Sequence, residues 1–147
     1  VVISPSATPI STSTTTPSPS STDETANWKT YTGKGYLIKV PSDYIIEERS
    51  STISFQESKD KEIPGFYIDR KSTTQTDPCN IKIEGYPDAK CTPLGSYRVL
   101  DWSNPEDPYI IHFAYTLINN GTEYTLEFQD IKKETKDQIL STFRFTQ

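Results

Sequence analysis

The chain has 147 residues, a net charge of −5 and a sequence pI of about 4.9. Proteins that bind nucleic acid gain affinity from Lys and Arg side chains that neutralise phosphates, and this sequence has no basic stripe to do so. The same acidic balance opposes electrostatic attachment to an anionic membrane surface. Composition therefore excludes nucleic acid as a partner and indicates a small acidic domain, with 33% hydrophobic and 12% aromatic residues.

The N-terminal stretch consists almost entirely of Ser, Thr and Pro. Such a stretch cannot bury enough apolar surface to offset the entropy lost on ordering, and its prolines favour an extended spacer. We predict a disordered linker over residues 1–26 and a globular domain over residues 27–147. Val1 to Ile3 is interpreted as the end of an anchor upstream of Val1 that is missing from this chain, which predicts an extracellular or cell-surface location with that segment as the only membrane contact.

Within the domain, alternation of polar and apolar residues and β-prone composition predict strands at residues 36–40, 44–47, 52–56, 66–70, 80–84 and 96–102. A hairpin follows over residues 109–118 and 122–128, because Asn120-Gly121 supplies the positive φ angles of a type I′ turn. In the second strand of this hairpin, apolar and polar residues alternate, which predicts one buried apolar face and one face exposed to solvent. Residues 132–142 are the one predicted helix, with a short strand at residues 143–145.

Cys79 and Cys91 lack the spacing of a redox motif, and no histidine lies near them to build a zinc site. We predict that they form a disulfide that closes a short loop and stabilises the fold by about 2–3 kcal/mol.

Four segments carry a family resemblance: residues 28–31 (WKTY), 35–42 (GYLIKVPS), 83–87 (IEGYP) and 137–145 (DQILSTFRF). Together they resemble the PsbP-like domains of bacterial surface and exported proteins. The resemblance implies an α+β fold in which a mostly antiparallel sheet is flanked by helices, as an α/β/α sandwich. It also implies an exported bacterial setting and a non-enzymatic role.

No residue pattern predicts catalysis or a cofactor. His112 is interpreted as an ordinary sheet residue, since no activated serine or cysteine motif accompanies it. Asp101, Asn104, Glu106 and Asp107 crowd one loop as weak calcium candidates, but their spacing and the intervening prolines favour a solvated acidic turn without metal. The acidic pairs Glu47-Glu48 and Glu123/Glu127 are predicted to be solvated, and Gly33-Lys34-Gly35 to be a turn.

The remaining functional signal is the number of large aromatic residues for so small a domain, which either fill a thin core or line a surface that binds sugars or a protein. They are Tyr31, Tyr36, Tyr44, Tyr67, Tyr86, Tyr97, Trp102, Tyr109, Tyr115 and Tyr124. We therefore predict an exported, membrane-tethered, monomeric binding or structural module without catalysis, whose partner is an unknown protein or glycan. The alternatives are an extracellular hydrolase acting on glycan or peptide, and an accessory subunit of an envelope complex.

Overall fold

The computed structural model describes residues 25–57, 65–104 and 112–147. Within these ranges the chain forms one α-helix, α1 (Lys133–Thr142), and one short 3₁₀ helix at Pro78–Asn80. The strands are β1 (Lys29–Gly33), β2 (Tyr36–Val40), β3 (Ile45–Arg49), β4 (Thr52–Gln56), β5 (Phe66–Ser72), β6 (Lys90–Leu94), β7 (Tyr97–Asp101), β8 (His112–Asn119), β9 (Thr122–Gln129) and β10 (Arg144–Phe145).

The strands form two antiparallel sheets. Seven strands make the larger sheet in the order β3-β4-β5-β9-β8-β7-β6, and three make the smaller one in the order β1-β2-β10. The small sheet and α1 cover one face of the large sheet, which we call the inner face, because the buried residues of both pack into one hydrophobic cluster. The opposite side is called the outer face.

An aromatic ladder forms the centre of the inner face. Phe55, Phe66 and Phe128 lie directly opposite one another on β4, β5 and β9. Their rings stack, with centroid distances of 4.3 Å between Phe55 and Phe66 and 4.9 Å between Phe66 and Phe128. All three are fully buried. Cross-strand aromatic pairs of this kind are among the stronger side-chain interactions in a sheet, so the ladder fixes how these strands pair.

Helix α1 buries a charge against the inner face. Lys136 is 5% exposed, and its Nζ lies 3.0 Å from the Tyr115 hydroxyl, 2.7 Å from an Asp137 carboxylate oxygen and 4.4 Å from the Phe113 ring centroid. Burial alone would lower the pKa of Lys136, but the hydrogen bonds to Asp137 and Tyr115 outweigh it and the pKa is raised. The ammonium is therefore satisfied where it is buried.

The predicted fold class is corrected by what covers the outer face. The described part of the chain contains a single α-helix, so the α/β/α sandwich with flanking helices is wrong and the fold is dominated by antiparallel sheet. A long connection between β5 and β6 covers part of the outer face instead. Pro78, Gly85 and Pro87 interrupt this connection, which prevents it from forming a helix of useful length.

Most predicted elements are confirmed, with informative exceptions. The strands at residues 36–40 and 52–56 match β2 and β4, and the Asn120-Gly121 turn has φ angles of 49° and 71°. The predicted strand at residues 80–84 is wrong because Ile81 and Ile83 pack down onto the sheet face instead of joining its edge. Strands β1 and β6 are not among the predicted elements, and β6 contains Pro93, which an edge strand tolerates. Residues 1–24 of the predicted linker (residues 1–26) and residues 109–111 of the first hairpin strand lie outside the described residues.

The turn between β1 and β2 requires glycine. Gly35 has a φ of +85°, and a Cβ at this position would collide with the Tyr124 hydroxyl oxygen. That hydroxyl donates to the Lys34 carbonyl at 3.2 Å, and the Thr146 amide donates to the Gly35 carbonyl at 3.1 Å. The turn thus joins the small sheet to β9 and to the C-terminal residues, and it confirms the turn predicted at Gly33-Lys34-Gly35.

We predict that Gly35→Ala lowers the free energy of unfolding by about 1–3 kcal/mol, because the residue must hold a positive φ and the Tyr124 hydroxyl must move. Gly95→Ala is the matched control: Gly95 also has a positive φ, of +59°, but no atom lies within 4 Å of the position that an alanine Cβ would occupy. Urea denaturation of both variants checks this. Equal losses for the two variants would show that the contact with Tyr124 does not constrain the turn.

Candidate functional site

The outer face of the two central strands carries a polar surface. On β5 and β9 the outward residues lie opposite one another as Tyr67 with Glu127, Asp69 with Thr125, and Lys71 with Glu123. They face outward because their neighbours in each strand, among them Phe66 and Phe128 of the aromatic ladder, fill the inner core. The antiparallel register thus collects three carboxylates, an ammonium and two hydroxyls on adjacent strands.

A loop covers the part of the outer face beside this polar surface. Leu100, Trp102 and Ala114 form a second buried cluster, and the loop places four partly buried apolar residues on it: Ile81, Ile83, Tyr86 and Ala89. The predicted disulfide between Cys79 and Cys91 is confirmed, with the two Cα atoms 5.4 Å apart. It attaches the loop to β6. Strand β8 is covered on both faces over Ala114–Leu117. On β9, for which one solvent-exposed face was predicted, the outward-facing Glu123 is buried and Thr125, Glu127 and Gln129 are only partly exposed.

Two adjoining cavities lie where the loop meets the polar surface, and together we call them the outer groove. The smaller cavity is about 390 Å³, and its lining residues are Ser51, Asp69, Arg70, Lys71, Ile83, Trp102, Glu123, Thr125 and Glu127. The larger is about 710 Å³, and its lining residues are Lys71, Ser72, Thr73, Thr74, Gln75, Asn80, Ile81, Lys82 and Glu123. Lys71 and Glu123 belong to both, so their ion pair stands between the two cavities.

The Lys71–Glu123 ion pair is asymmetric. The Glu123 side chain is 6% exposed, whereas that of Lys71 is 69% exposed, and the two are 2.9 Å apart. A buried carboxylate needs a partner, but this partner is a flexible side chain whose ammonium remains in solvent. Glu123 is therefore held in place by the sheet, whereas the Lys71 side chain can move aside without any rearrangement of the backbone.

Glu127 is held from two sides in the smaller cavity. His112 Nε2 lies 3.1 Å from its carboxylate, and the Tyr67 hydroxyl donates a hydrogen bond to it. Burial first, and then the hydrogen bond and charge of Glu127, raise the pKa of Tyr67 above its ordinary value. The His112 ring also contacts Trp102 and Tyr86, at centroid distances of 5.4 Å and 6.2 Å.

These placements change the interpretation of several residues. His112 does lie in a strand, but its ring is part of the Glu127 network. The prediction that Glu123 and Glu127 are solvated is wrong, since Glu123 is buried and the Glu127 side chain is 16% exposed. The period-two pattern of β9 already places both acids and Thr125 on one face. What the sequence could not reveal is the loop that folds over that face.

The weak metal candidates do not come together in the described part of the chain. The Asp101 carboxylate accepts from the Ser103 amide at 3.0 Å, and Asn104 pairs with His112 through backbone atoms. Glu106 and Asp107 lie outside the described residues. Across the described ranges, no three His, Cys, Asp or Glu residues are grouped to hold a metal ion. Within the same ranges no helix is long and apolar enough to cross a membrane.

The large aromatic residues divide between the core and the outer groove. Tyr36, Tyr44, Tyr115 and Tyr124 are buried in the main core, which supports the core explanation for those four. Trp102 is also largely buried, yet it lines the smaller cavity, and its indole Nε1 donates to the Thr116 hydroxyl at 3.1 Å. Tyr109 lies outside the described residues.

Comparison with known proteins gives the fold and no activity. No protein-family model matches the sequence, and no curated protein matches it. A crystal structure of a protein from Bacteroides thetaiotaomicron VPI-5482 is similar, with a TM-score of 0.61 and 11% sequence identity over 84% of this chain and 49% of that one. This chain therefore spans about half the length of that protein, and at this identity the likeness concerns the fold alone. The resemblance to PsbP-like domains stays a prediction.

We predict that replacing both cysteines, as Cys79→Ser with Cys91→Ser, lowers the free energy of unfolding by about 2–3 kcal/mol, because the closed loop gains entropy in the unfolded chain. The rate of amide hydrogen exchange should rise mainly in residues 77–91, the segment whose loop residues line one side of the outer groove. Reduction of the wild-type disulfide should reproduce both effects. A loss of stability with unchanged exchange in the loop would contradict the view that the disulfide holds the wall.

A second prediction concerns the Tyr67 hydroxyl. In Glu127→Gln its pKa should fall toward that of an ordinary tyrosine, because the carboxylate charge is gone while burial remains. Since the folded pKa is raised, the associated stabilisation is complete below an unfolded tyrosine pKa of about 10 and is lost as the pH rises beyond it. Tyrosine ¹³Cζ NMR titration, with Tyr67→Phe to assign the signal, measures the shift. An unchanged titration in Glu127→Gln would contradict the hydrogen bond.

Proposed function

We propose that this chain is an exported, monomeric binding module without catalysis, held at the cell surface by its Ser/Thr/Pro-rich segment, and that the outer groove is where it binds. The composition of residues 1–26 supports the tethered setting. The disulfide is consistent with an oxidising compartment. The proposed partner is a glycan or a protein segment that approaches the sheet from its outer side.

The observation that carries this proposal is the lining of the outer groove. Binding sites combine apolar walls with a few fixed polar groups, and here Trp102 and Ile83 provide the wall beside Glu123, Thr125 and Glu127. The carboxylates are positioned by interior strands and by hydrogen-bond partners, which limits the entropy lost when a ligand binds. Rigid strands are better supports for such groups than loops.

Hydrolysis is the alternative that one observation favours. Asp69 lies opposite Thr125, so Asp69 and Glu127 are diagonal neighbours about 7–8 Å apart on one face of the sheet, with their β-carbons somewhat closer. Glycosidases that invert configuration place their two carboxyl groups about 6.5–9.5 Å apart, and this register puts two acids on one face at a comparable residue spacing. The test of the proposal must therefore report both binding and cleavage.

We predict that the full chain, labelled with a fluorophore, binds members of either a glycan array or a library of random decapeptides, and that Thr125→Arg removes the binding. The arginine would occupy the smaller cavity, because Thr125 lies at its floor. Thr30→Arg, on an exposed position of β1, is the matched control and should bind as the wild type does.

The bound probes are then recovered and measured by mass spectrometry. Intact probes support binding without catalysis, whereas shortened ones favour the hydrolase. If nothing binds, or if Thr125→Arg binds as well as Thr30→Arg while keeping its circular dichroism spectrum, the outer groove is not the site.

A further inference from the structure

We propose that the ligand of the outer groove is a neutral oligosaccharide of several sugar units, which lies across both cavities with the Lys71–Glu123 ion pair near its middle. The inference rests on the proposed function and makes it specific. It follows from three properties of the groove: the strands beneath it, the charges along it and the functional groups that line it.

The strands beneath the groove disfavour an extended peptide. Peptides commonly bind a sheet by adding a strand to a free edge, where unpaired backbone groups supply most of the affinity. The groove lies over β5 and β9, which are both paired on each side within the order β4-β5-β9-β8. Over residues 66–69 the backbone of β5 is paired on both sides, and Lys71 and Ser72 extend past the end of β4. A free edge of two residues is too short to hold a peptide strand, so a ligand at this position must be recognised mainly through side chains.

The charges along the groove favour a neutral ligand. The side chains that carry charge along the two cavities are two cationic ones, Lys71 and Lys82, and three carboxylates, Asp69, Glu123 and Glu127. Arg70 also lines the smaller cavity, but it lies opposite the buried Tyr124 in the inner-facing register of β5. Lys71 pairs with Glu123, and Glu127 is hydrogen-bonded to His112 and Tyr67. A ligand of strong net charge would find no complementary field here, because opposite charges alternate over short distances.

The functional groups match sugar hydroxyls. The larger cavity presents hydroxyls and amides from Ser72, Thr73, Thr74, Gln75 and Asn80. Hydroxyl and amide groups both donate and accept hydrogen bonds, as sugar hydroxyls do, and carboxylates accept from them strongly.

The apolar end of the groove completes the match. Trp102 and Ile83 line the smaller cavity beside Thr125 and Glu127. A sugar ring has an apolar face of C–H groups that packs on such a surface while its hydroxyls reach the neighbouring polar groups. The shared ion pair then lies where consecutive sugar units would cross from one cavity to the other.

Titration calorimetry of the full chain with neutral oligosaccharides tests this. The probes are cello-, chito- and malto-oligosaccharides, each from disaccharide to hexasaccharide. One series should bind saturably, and its dissociation constant should fall by about tenfold or more with length, because longer chains reach the second cavity and add hydrogen bonds. Glu123→Gln should weaken the hexasaccharide by about tenfold or more, since a hydrogen bond to a charged group is lost.

Two further variants keep the test independent of folding defects. Glu134→Gln removes an exposed carboxylate on α1 and should leave binding unchanged. Gln75→Ala changes an exposed residue of the larger cavity and should weaken the hexasaccharide by about threefold to tenfold while leaving the disaccharide nearly unaffected.

Each outcome decides the inference. If peptides bind in a manner lost in Thr125→Arg and no oligosaccharide binds, this inference is overturned and the binding module stands. If no probe of either class binds, both proposals fall. Oligosaccharide binding that does not depend on length, or that is equally affected by Glu123→Gln and Glu134→Gln, would place the sugar elsewhere on the protein.

Discussion

The aromatic ladder of Phe55, Phe66 and Phe128 is the constraint on which the rest of the molecule depends. Side chains alternate between the two faces of a strand, so a shift of one residue in pairing would turn every inner residue outward. The stacked rings fix the pairing of β4, β5 and β9 on the inner face. The same pairing places Glu123 and Glu127 opposite Lys71 and Tyr67 on the outer face. The core thereby positions the polar groups of the outer groove without touching them.

The two faces of the large sheet are covered in different ways, and the groove results from that difference. The inner face is closed by α1 and the small sheet, whereas only part of the outer face lies beneath the loop that precedes β6. The loop has little regular structure, and the Cys79–Cys91 disulfide and the packing of Ile81 and Ile83 hold it on the sheet. Where its cover ends, the polar surface begins. An apolar wall and a polar floor therefore meet along one line.

Local signals in the sequence predicted most of the fold but little of the groove. The period of two over residues 52–56 and the Asn120-Gly121 turn depend on neighbouring residues, so both could be predicted before any tertiary contact was known. The path of the loop over residues 73–89 could not be predicted. The sequence around Ile83 is the same whether this residue joins a sheet as part of a strand or packs on the face of a sheet. Helices over both faces were expected from the family resemblance, and no helical period in this loop supports them.

The outer groove follows from contacts that are distant in sequence. Glu127 becomes a site residue because Tyr67, sixty positions earlier, and His112, in the neighbouring strand β8, both direct polar atoms at it. The alternation of β9 identified the acids that share a face, yet an alternating acidic strand is more often solvated than buried. Only the tertiary structure distinguishes the two cases, since burial of Glu123 requires the loop and the neighbouring strands together.

The hydrogen bonds of the acids also bear on whether the groove binds or cleaves. A general acid in glycoside hydrolysis must present its proton to the scissile oxygen, and a general base must present a free lone pair to water. Glu127 instead accepts from Tyr67 and contacts His112, while Asp69 accepts from the Thr52 hydroxyl. Each carboxylate is thus held by donors from the protein itself, and acceptor positions remain on its two oxygens. Carboxylates held in this way are positioned to accept hydrogen bonds from a ligand's hydroxyls, which is the role that the binding proposal gives them.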